Sequence, residues 1–189
     1  MPLCPECVSE LNRAPVIRDS PPPGITRVAS CAPHEGVARA LLAAFKFRGL
    51  VGLAPLIAGY MADLDGTGPP ERILVPVPAA PGRERRRGFD PARELAREAA
   101  RVDSGALPEK NLLVRRGSGR QRGRGREARL GLPPTVEPVP DALPAGAPSG
   151  VLTLVDDVLT TGATLTACAA ALAGAGAGPV SAITFTRRL

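Results

Sequence analysis

The stretch Val151–Leu165, reading V-L-T-L-V-D-D-V-L-T-T-G-A-T-L, decides the fold. Its apolar run Val151, Leu152, Leu154 and Val155 is broken only by Thr153 and is rich in branched side chains, as in a parallel strand covered on both faces. Asp156 and Asp157 are expected where that strand ends, in the crevice where open α/β sheets bind ligands. Two adjacent carboxylates there can accept hydrogen bonds from vicinal sugar hydroxyls. Thr160, Thr161, Gly162, Ala163 and Thr164 follow. Small side chains let backbone N–H groups approach an anion, hydroxyls add donors, and an incipient helix offers the positive end of its dipole. A capped helix alone needs one hydroxyl. Three threonines around a glycine, directly after paired aspartates, imply a sugar phosphate as ligand.

Composition bounds the rest. With 189 residues and 44% hydrophobic content, the chain can bury one sizeable core. No apolar run approaches the ~20 residues of a membrane span, so no membrane insertion is expected. The N-terminus lacks a basic region followed by an apolar stretch, so a cytoplasmic location is the expectation. Aromatic residues make up 3%, with no Trp and one Tyr, which argues against a stacking platform for single-stranded nucleic acid. The formal charge of +6 is uneven: Arg83 to Arg129 holds fourteen Arg and one Lys against seven Asp or Glu. Such a segment can bind polyphosphate or nucleic acid, although charge runs are often solvated faces.

Along the chain, Met1 to about Ser30 reads as irregular and outside the core, with Pro21, Pro22, Pro23 and Gly24 as a stiff connector. Apolar residues at Val37, Ala40, Leu41, Ala44 and Phe45 predict a helix over 36–47, closed by Lys46 and Arg48 before Gly49. A second helix is expected over 50–63, then a strand at Ile73–Val77, a loop at Pro78–Gly88, and a helix from Asp90 as N-cap to Arg101. Leu112–Val114 reads as the next strand, 115–126 as a mobile Arg/Gly-rich loop and 133–150 as a Pro/Ala-rich connection. After the quoted strand come a helix at 165–173 and a final strand at 180–185. The alternation predicts an α/β fold with a doubly wound parallel sheet.

Strand, acidic pair and Thr/Gly loop together resemble the phosphoribosyl-diphosphate (PRPP) signature of type I phosphoribosyltransferases. That resemblance implies that Asp156 and Asp157 hold the ribose hydroxyls, and that Thr160, Thr161, Gly162, Ala163 and Thr164 hold the 5′-phosphate. Three further segments narrow it: H-E-G-V-A-R-A-L-L-A-A-F-K-F-R-G (His34–Gly49), V-P-V-P…R-R-G-F-D-P-A-R-E-L-A (Val75–Ala96) and R-R…Q…R (Arg115–Arg129). In that order, over nearly the whole chain, they resemble the ComF (competence protein F) family. His34 stands where that family has an aromatic residue, and Asp90 where it has asparagine.

The family resemblance implies a fold of the type I phosphoribosyltransferase kind at 31–189 behind a 1–30 segment like a truncated zinc ribbon, and a role in uptake of single-stranded DNA during natural transformation. Its implied partners are PRPP, single-stranded DNA, a competence ATPase or helicase and recombination-mediator proteins. It further implies pyrophosphate binding by Pro76, Val77, Pro78, Arg83 and Arg87, with Arg85 or Arg86 as alternatives, since guanidinium forks suit phosphate. Arg115, Arg116, Gln121 and Arg129 would belong to a loop closing over the ligand. Mg²⁺ would accompany PRPP, keeping waters and phosphates as ligands. A zinc ribbon needs four ligands, and only the pair Cys4 and Cys7 is spaced for one. Cys31 and His34 are the remaining candidates, and zinc is not expected. Three readings stay open: an active phosphoribosyltransferase, a DNA-uptake adaptor that retains PRPP binding, and a PRPP-sensing regulator.

If the arginine-rich segment contacts single-stranded DNA, log K should fall with log salt at a slope of about −0.7 per neutralised phosphate, with little sequence preference. A salt series of DNA-binding isotherms checks this, and the absence of binding at low salt rejects direct contact.

Overall fold

Apolar strands alternating with amphipathic helices assemble around a five-stranded sheet in a computed structural model, which describes residues 3–62, 64, 72–80, 82–103, 105–107, 110–116, 135–140, 142–143 and 152–189. In chain order the elements are α1 (Pro5–Arg13), β1 (Ile25–Pro33), α2 (Gly36–Phe47), a 3-10 turn (Val51–Leu53), α3 (Ala54–Ala62), β2 (Arg72–Pro76) and α4 (Arg83–Arg87). Then come α5 (Pro91–Val102), β3 (Ala106–Leu107), β4 (Leu113–Arg115), β5 (Val136–Pro138), β6 (Leu152–Leu159), α6 (Ala163–Gly174) and β7 (Val180–Arg187). The sheet order is β1-β7-β6-β2-β3, and every neighbouring pair in it is parallel. Among the described residues no helix is long and apolar enough to cross a membrane.

Both faces of the sheet are covered, so its central strands carry apolar residues on both sides. One face packs Leu74, Val155, Ile183 and Phe185 against α2, α3 and α5. The other packs Val75, Leu152, Leu154 and Ala182 against α6 and the start of β4. Polar residues inside the strands are paired. Thr153 meets the Ser181 hydroxyl at 2.8 Å, and Ser30 meets the Thr184 hydroxyl at 2.7 Å. Thr153 therefore interrupts the apolar run without leaving an unsatisfied buried group.

Local chemistry sets the helices. In α2, Ala38, Leu41, Leu42 and Phe45 form the buried stripe, and Gly49 at φ +67° follows its end. Helix α5 begins as its sequence dictates: Asp90 accepts from the N–H groups of Ala92 and Arg93, with Pro91 in the first turn. Ala92, Leu95, Ala96 and Ala99 face the core, while Glu94–Arg97 and Glu98–Arg101 pair along the outside. The short α4 lies between Gly82 and Gly88, both left-handed at φ +83° and +82°.

The structure corrects the sequence expectations in three places. The segment up to Ser30 is not irregular. It contains α1, and Ile25–Ser30 belongs to β1, which is paired with β7 and buries Ile25 and Val28. Leu112–Val114 does not extend the main sheet: β4 runs antiparallel to β5, and a two-residue β3 takes the place beside β2. Arg115 and Arg116 consequently stand at the stem of a hairpin rather than in a loop, with Arg116 paired to Glu137 at 2.9 Å. Gln121 and Arg129 lie outside the described residues, as do Val151 and most of 133–150.

Phe45 is fully buried and tilts against Phe89 at 5.1 Å between ring centroids. Phe45→Ala should cost about 3–5 kcal/mol, measured by urea denaturation. A cost under about 1 kcal/mol would contradict this packing of α2.

Candidate functional site

Strands β2 and β6 are neighbours, but the chain leaves them in opposite directions. After β2 it passes through α5 to β3, and after β6 through α6 to β7. Divergence of this kind opens a crevice at the carboxyl ends of the two strands. The segment after β2 stays fastened there, since the Val77 N–H bonds the Val155 carbonyl at 2.9 Å.

Into this crevice β6 projects its acidic pair, in an arrangement the sequence did not suggest. The strand does not end before Asp156; it keeps its register with β7 through Val158↔Thr186 and Leu159↔Arg187. Successive side chains of a strand point to opposite faces. Asp157 turns toward α2, where its Oδ2 meets Lys46 Nζ at 2.7 Å. Asp156 turns toward α6, near enough for its charge to act on the Cys168 thiol. The two carboxylates reach one cavity from two sides instead of lying side by side.

That cavity encloses about 240 Å³ and gathers Val77, Pro78, Arg83, Arg87, Arg115, Asp156, Asp157, Thr160 and Thr164 among its walls. Lys46 and Asp90 complete its charged lining. Pro76 and Arg85 instead face an adjoining hollow of about 270 Å³, which shares Pro78, Asp90 and Arg115 with the first. Arg86 lines neither. Thr161, Gly162 and Ala163 line a third hollow, next to Pro22 and Pro23. At the left-handed Gly162 the chain reverses into α6, so these residues can serve the cavity only through backbone N–H groups of the helix start. Arg87 lies over the Phe47 ring at 5.3 Å, and its Nε is buried without a hydrogen-bond partner among the described residues.

Burial drives the Asp156 carboxyl well above its ordinary value of 3.8, the charge of Asp157 adds to this, and the Asp157 N–H and Lys46 oppose it. Burial likewise raises Asp90, against the N–H bonds it accepts from Arg93, Ala79 and Ala92. Its bond from Ala79 N–H, at 3.4 Å, ties the β2 loop to the start of α5. His34 is lowered by burial and by the nearby cations Lys46, Arg39 and Arg188, and its Nδ1 lies 2.9 Å from the Thr186 hydroxyl. Burial pushes the Cys168 thiol up to about 12, which leaves it an inert apolar group.

Lys46 is the residue that sequence reasoning missed. Its side chain is only 15% exposed, although it first read as a terminating charge. A signal was present: Lys46 follows the buried Ala38 and Leu42 at intervals of four, on the stripe that must face the sheet. A lysine there needs a carboxylate partner. The zinc candidates are not assembled. Among the described residues no three His, Cys, Asp or Glu side chains form a metal-holding group, and Cys31 donates instead to the Thr184 carbonyl at 3.7 Å. Chemically, the cavity combines the cations Lys46, Arg83, Arg87 and Arg115, the carboxyl groups of Asp90, Asp156 and Asp157, and the hydroxyls of Thr160 and Thr164. No family model matches the chain, and no curated protein does.

A raised Asp156 binds protons more tightly when folded than when unfolded, so folding stability must fall as pH rises from about 4 upward through its elevated pKa. Asp156→Asn removes that loss. Melting temperatures of the two proteins should coincide in acid and separate toward neutral pH, with the variant higher; parallel curves would overturn this reading of Asp156.

Proposed function

We propose that the chain binds PRPP at this cavity, with a fold of the type I phosphoribosyltransferase kind, and acts as a ComF-type protein in the cytoplasmic handling of incoming single-stranded DNA. The observation carrying this reading is the meeting of three residue sets at one crevice: the acidic pair of β6, Thr160 and Thr164 of the Thr/Gly loop, and Arg83 with Arg87 beyond β2. The first two adjoin in sequence and the arginines lie about seventy residues earlier; they match, in turn, the hydroxyls, the 5′-phosphate and the diphosphate of a single ligand.

Each group has a definable task. Asp156 and Asp157 accept hydrogen bonds from the ribose hydroxyls, and Lys46 holds Asp157 in place. Thr160 and Thr164 offer hydroxyls to the 5′-phosphate beside the N–H groups of the helix start. Arg83, Arg87 and Arg115 neutralise the diphosphate. If the bond from ribose C1 to diphosphate breaks, positive charge grows on the sugar ring and negative charge on the leaving group. Carboxylates and guanidinium groups lining one cavity supply opposite charges for that separation. Oxygen donors on Asp156 and Asp157 suit a hard cation, so Mg²⁺ carried by the ligand fits here, where it would help neutralise the diphosphate. Partner proteins, a competence ATPase or helicase and a recombination mediator, are part of the same proposal.

Calorimetric titration with PRPP and Mg²⁺ tests the proposal. The wild-type chain should bind. The Asp156→Asn, Asp157→Asn double variant should lose at least about tenfold in affinity, since charge-assisted hydrogen bonds are removed. Absence of binding by folded wild-type protein rejects PRPP as the ligand, and normal binding by the double variant rejects the ribose assignment.

A further inference from the structure

The third hollow, about 370 Å³ behind the Thr/Gly loop, contains a contact network that none of the groups discussed above requires. At its centre stands Arg187, the residue of β7 paired with Leu159 at the end of β6. Its Nη1 donates to the Leu159 carbonyl at 3.4 Å, to the Arg188 carbonyl at 2.7 Å and, in a close contact, to the Thr160 carbonyl. Its Nε donates to Asp19 Oδ2, which fixes the other side of the guanidinium. The pair is partly buried, with 22% and 29% of the side chains exposed.

Asp19 opens the segment that runs to Gly24, and that segment is itself seated. Pro22 lies so close to Gly162 that a Cβ there would be 2.6 Å from Pro22 Cγ, and a Cβ on Gly24 would be 2.9 Å from Ala169 of α6. The Ile25 N–H bonds the Pro22 carbonyl at 3.0 Å. Strand β7, the N-terminal segment and the loop are thus clasped together on one side.

Planarity converts this clasp into a functional device. In a trans peptide the C=O and the following N–H point in opposite directions, and the described residues contain no cis bond. With the Leu159 and Thr160 carbonyls held on the Arg187 side, the N–H groups of Thr160 and Thr161 are directed away from it. Thr160 lies between this hollow and the candidate cavity and lines both.

We infer that Arg187, braced by Asp19, is a positioning residue for phosphate recognition: the Arg188 N–H already holds the Leu159 carbonyl at 2.9 Å, and Arg187 fixes the next peptide plane, that of Thr160, so that the loop's donors are set before the ligand arrives. The inference rests on the phosphate assignment proposed above. It also gives the 19–24 segment a place in the site, through Pro22 against Gly162 and Asp19 against Arg187.

The experiment uses two probes, ribose 5-phosphate and inorganic pyrophosphate with Mg²⁺, titrated calorimetrically into the full chain and into Arg187→Met, Arg187→Lys and Asp19→Ala. Loss of a charged donor that orients the loop should weaken ribose 5-phosphate by about tenfold in Arg187→Met. Asp19→Ala should show a smaller loss, Arg187→Lys should recover part of the affinity, and pyrophosphate binding should stay unchanged in all three. Circular dichroism establishes that each variant is folded, and Asp19→Ala carries the test if Arg187→Met is not. Equal affinities in variant and wild type, or equal losses for both probes, overturn the positioning role. Should the wild-type chain ignore ribose 5-phosphate, the phosphate assignment falls first and the positioning role with it.

Discussion

The divergence of the chain at β2 and β6 is the constraint on which the rest depends. Parallel strands side by side must send their connections over the faces of the sheet, and two connections leaving in opposite directions cannot both cover the strand ends. What stays uncovered is the one place where backbone termini, helix starts and loop side chains converge without filling the space between them. The acidic pair lies in β6 with Thr160 and Thr164 directly after it, α4 follows β2, and the topology brings these two distant stretches to one cavity.

Within that cavity, charges of both signs come from different kinds of element. Asp156 and Asp157 stand on a central strand, whereas Arg83 and Arg87 stand on a short helix and Arg115 on a hairpin stem. Lys46 adds a cation from a further element. It approaches Asp157 from the apolar face of α2 and pairs with it, while burial and the neighbouring charge raise Asp156. Stability and ligand recognition pull on the same residue here, as is common where titratable groups are held away from water.

Elements whose signal is local could be read from the chain alone: the helix at Gly36–Phe47, the helix capped by Asp90, and the strand and loop before α6. Those whose stability comes from partners could not. β1 carries Thr26, Arg27 and Ser30 and gains its place by pairing with β7, through contacts such as Ser30 with Thr184. β3 is two residues long and exists only because β2 offers an edge. The residues of the site were identifiable, but their directions were not, because whether Asp156 and Asp157 lie side by side depends on where β6 stops pairing. Lys46 was legible as part of a buried stripe and illegible as a partner, since nothing in the sequence says which strand α2 covers.

The two left-handed glycines around α4 have a consequence for which anions the site can distinguish. Gly82 and Gly88 bound a single short turn of helix, which sets Arg83 and Arg87 four residues apart on one face, a rise of about 6 Å along the helix axis. On the proposed reading, this side of the cavity presents two guanidinium groups from one helical face, so an anion with several free oxygens can engage both at once, whereas one with a single free oxygen cannot use both forks fully.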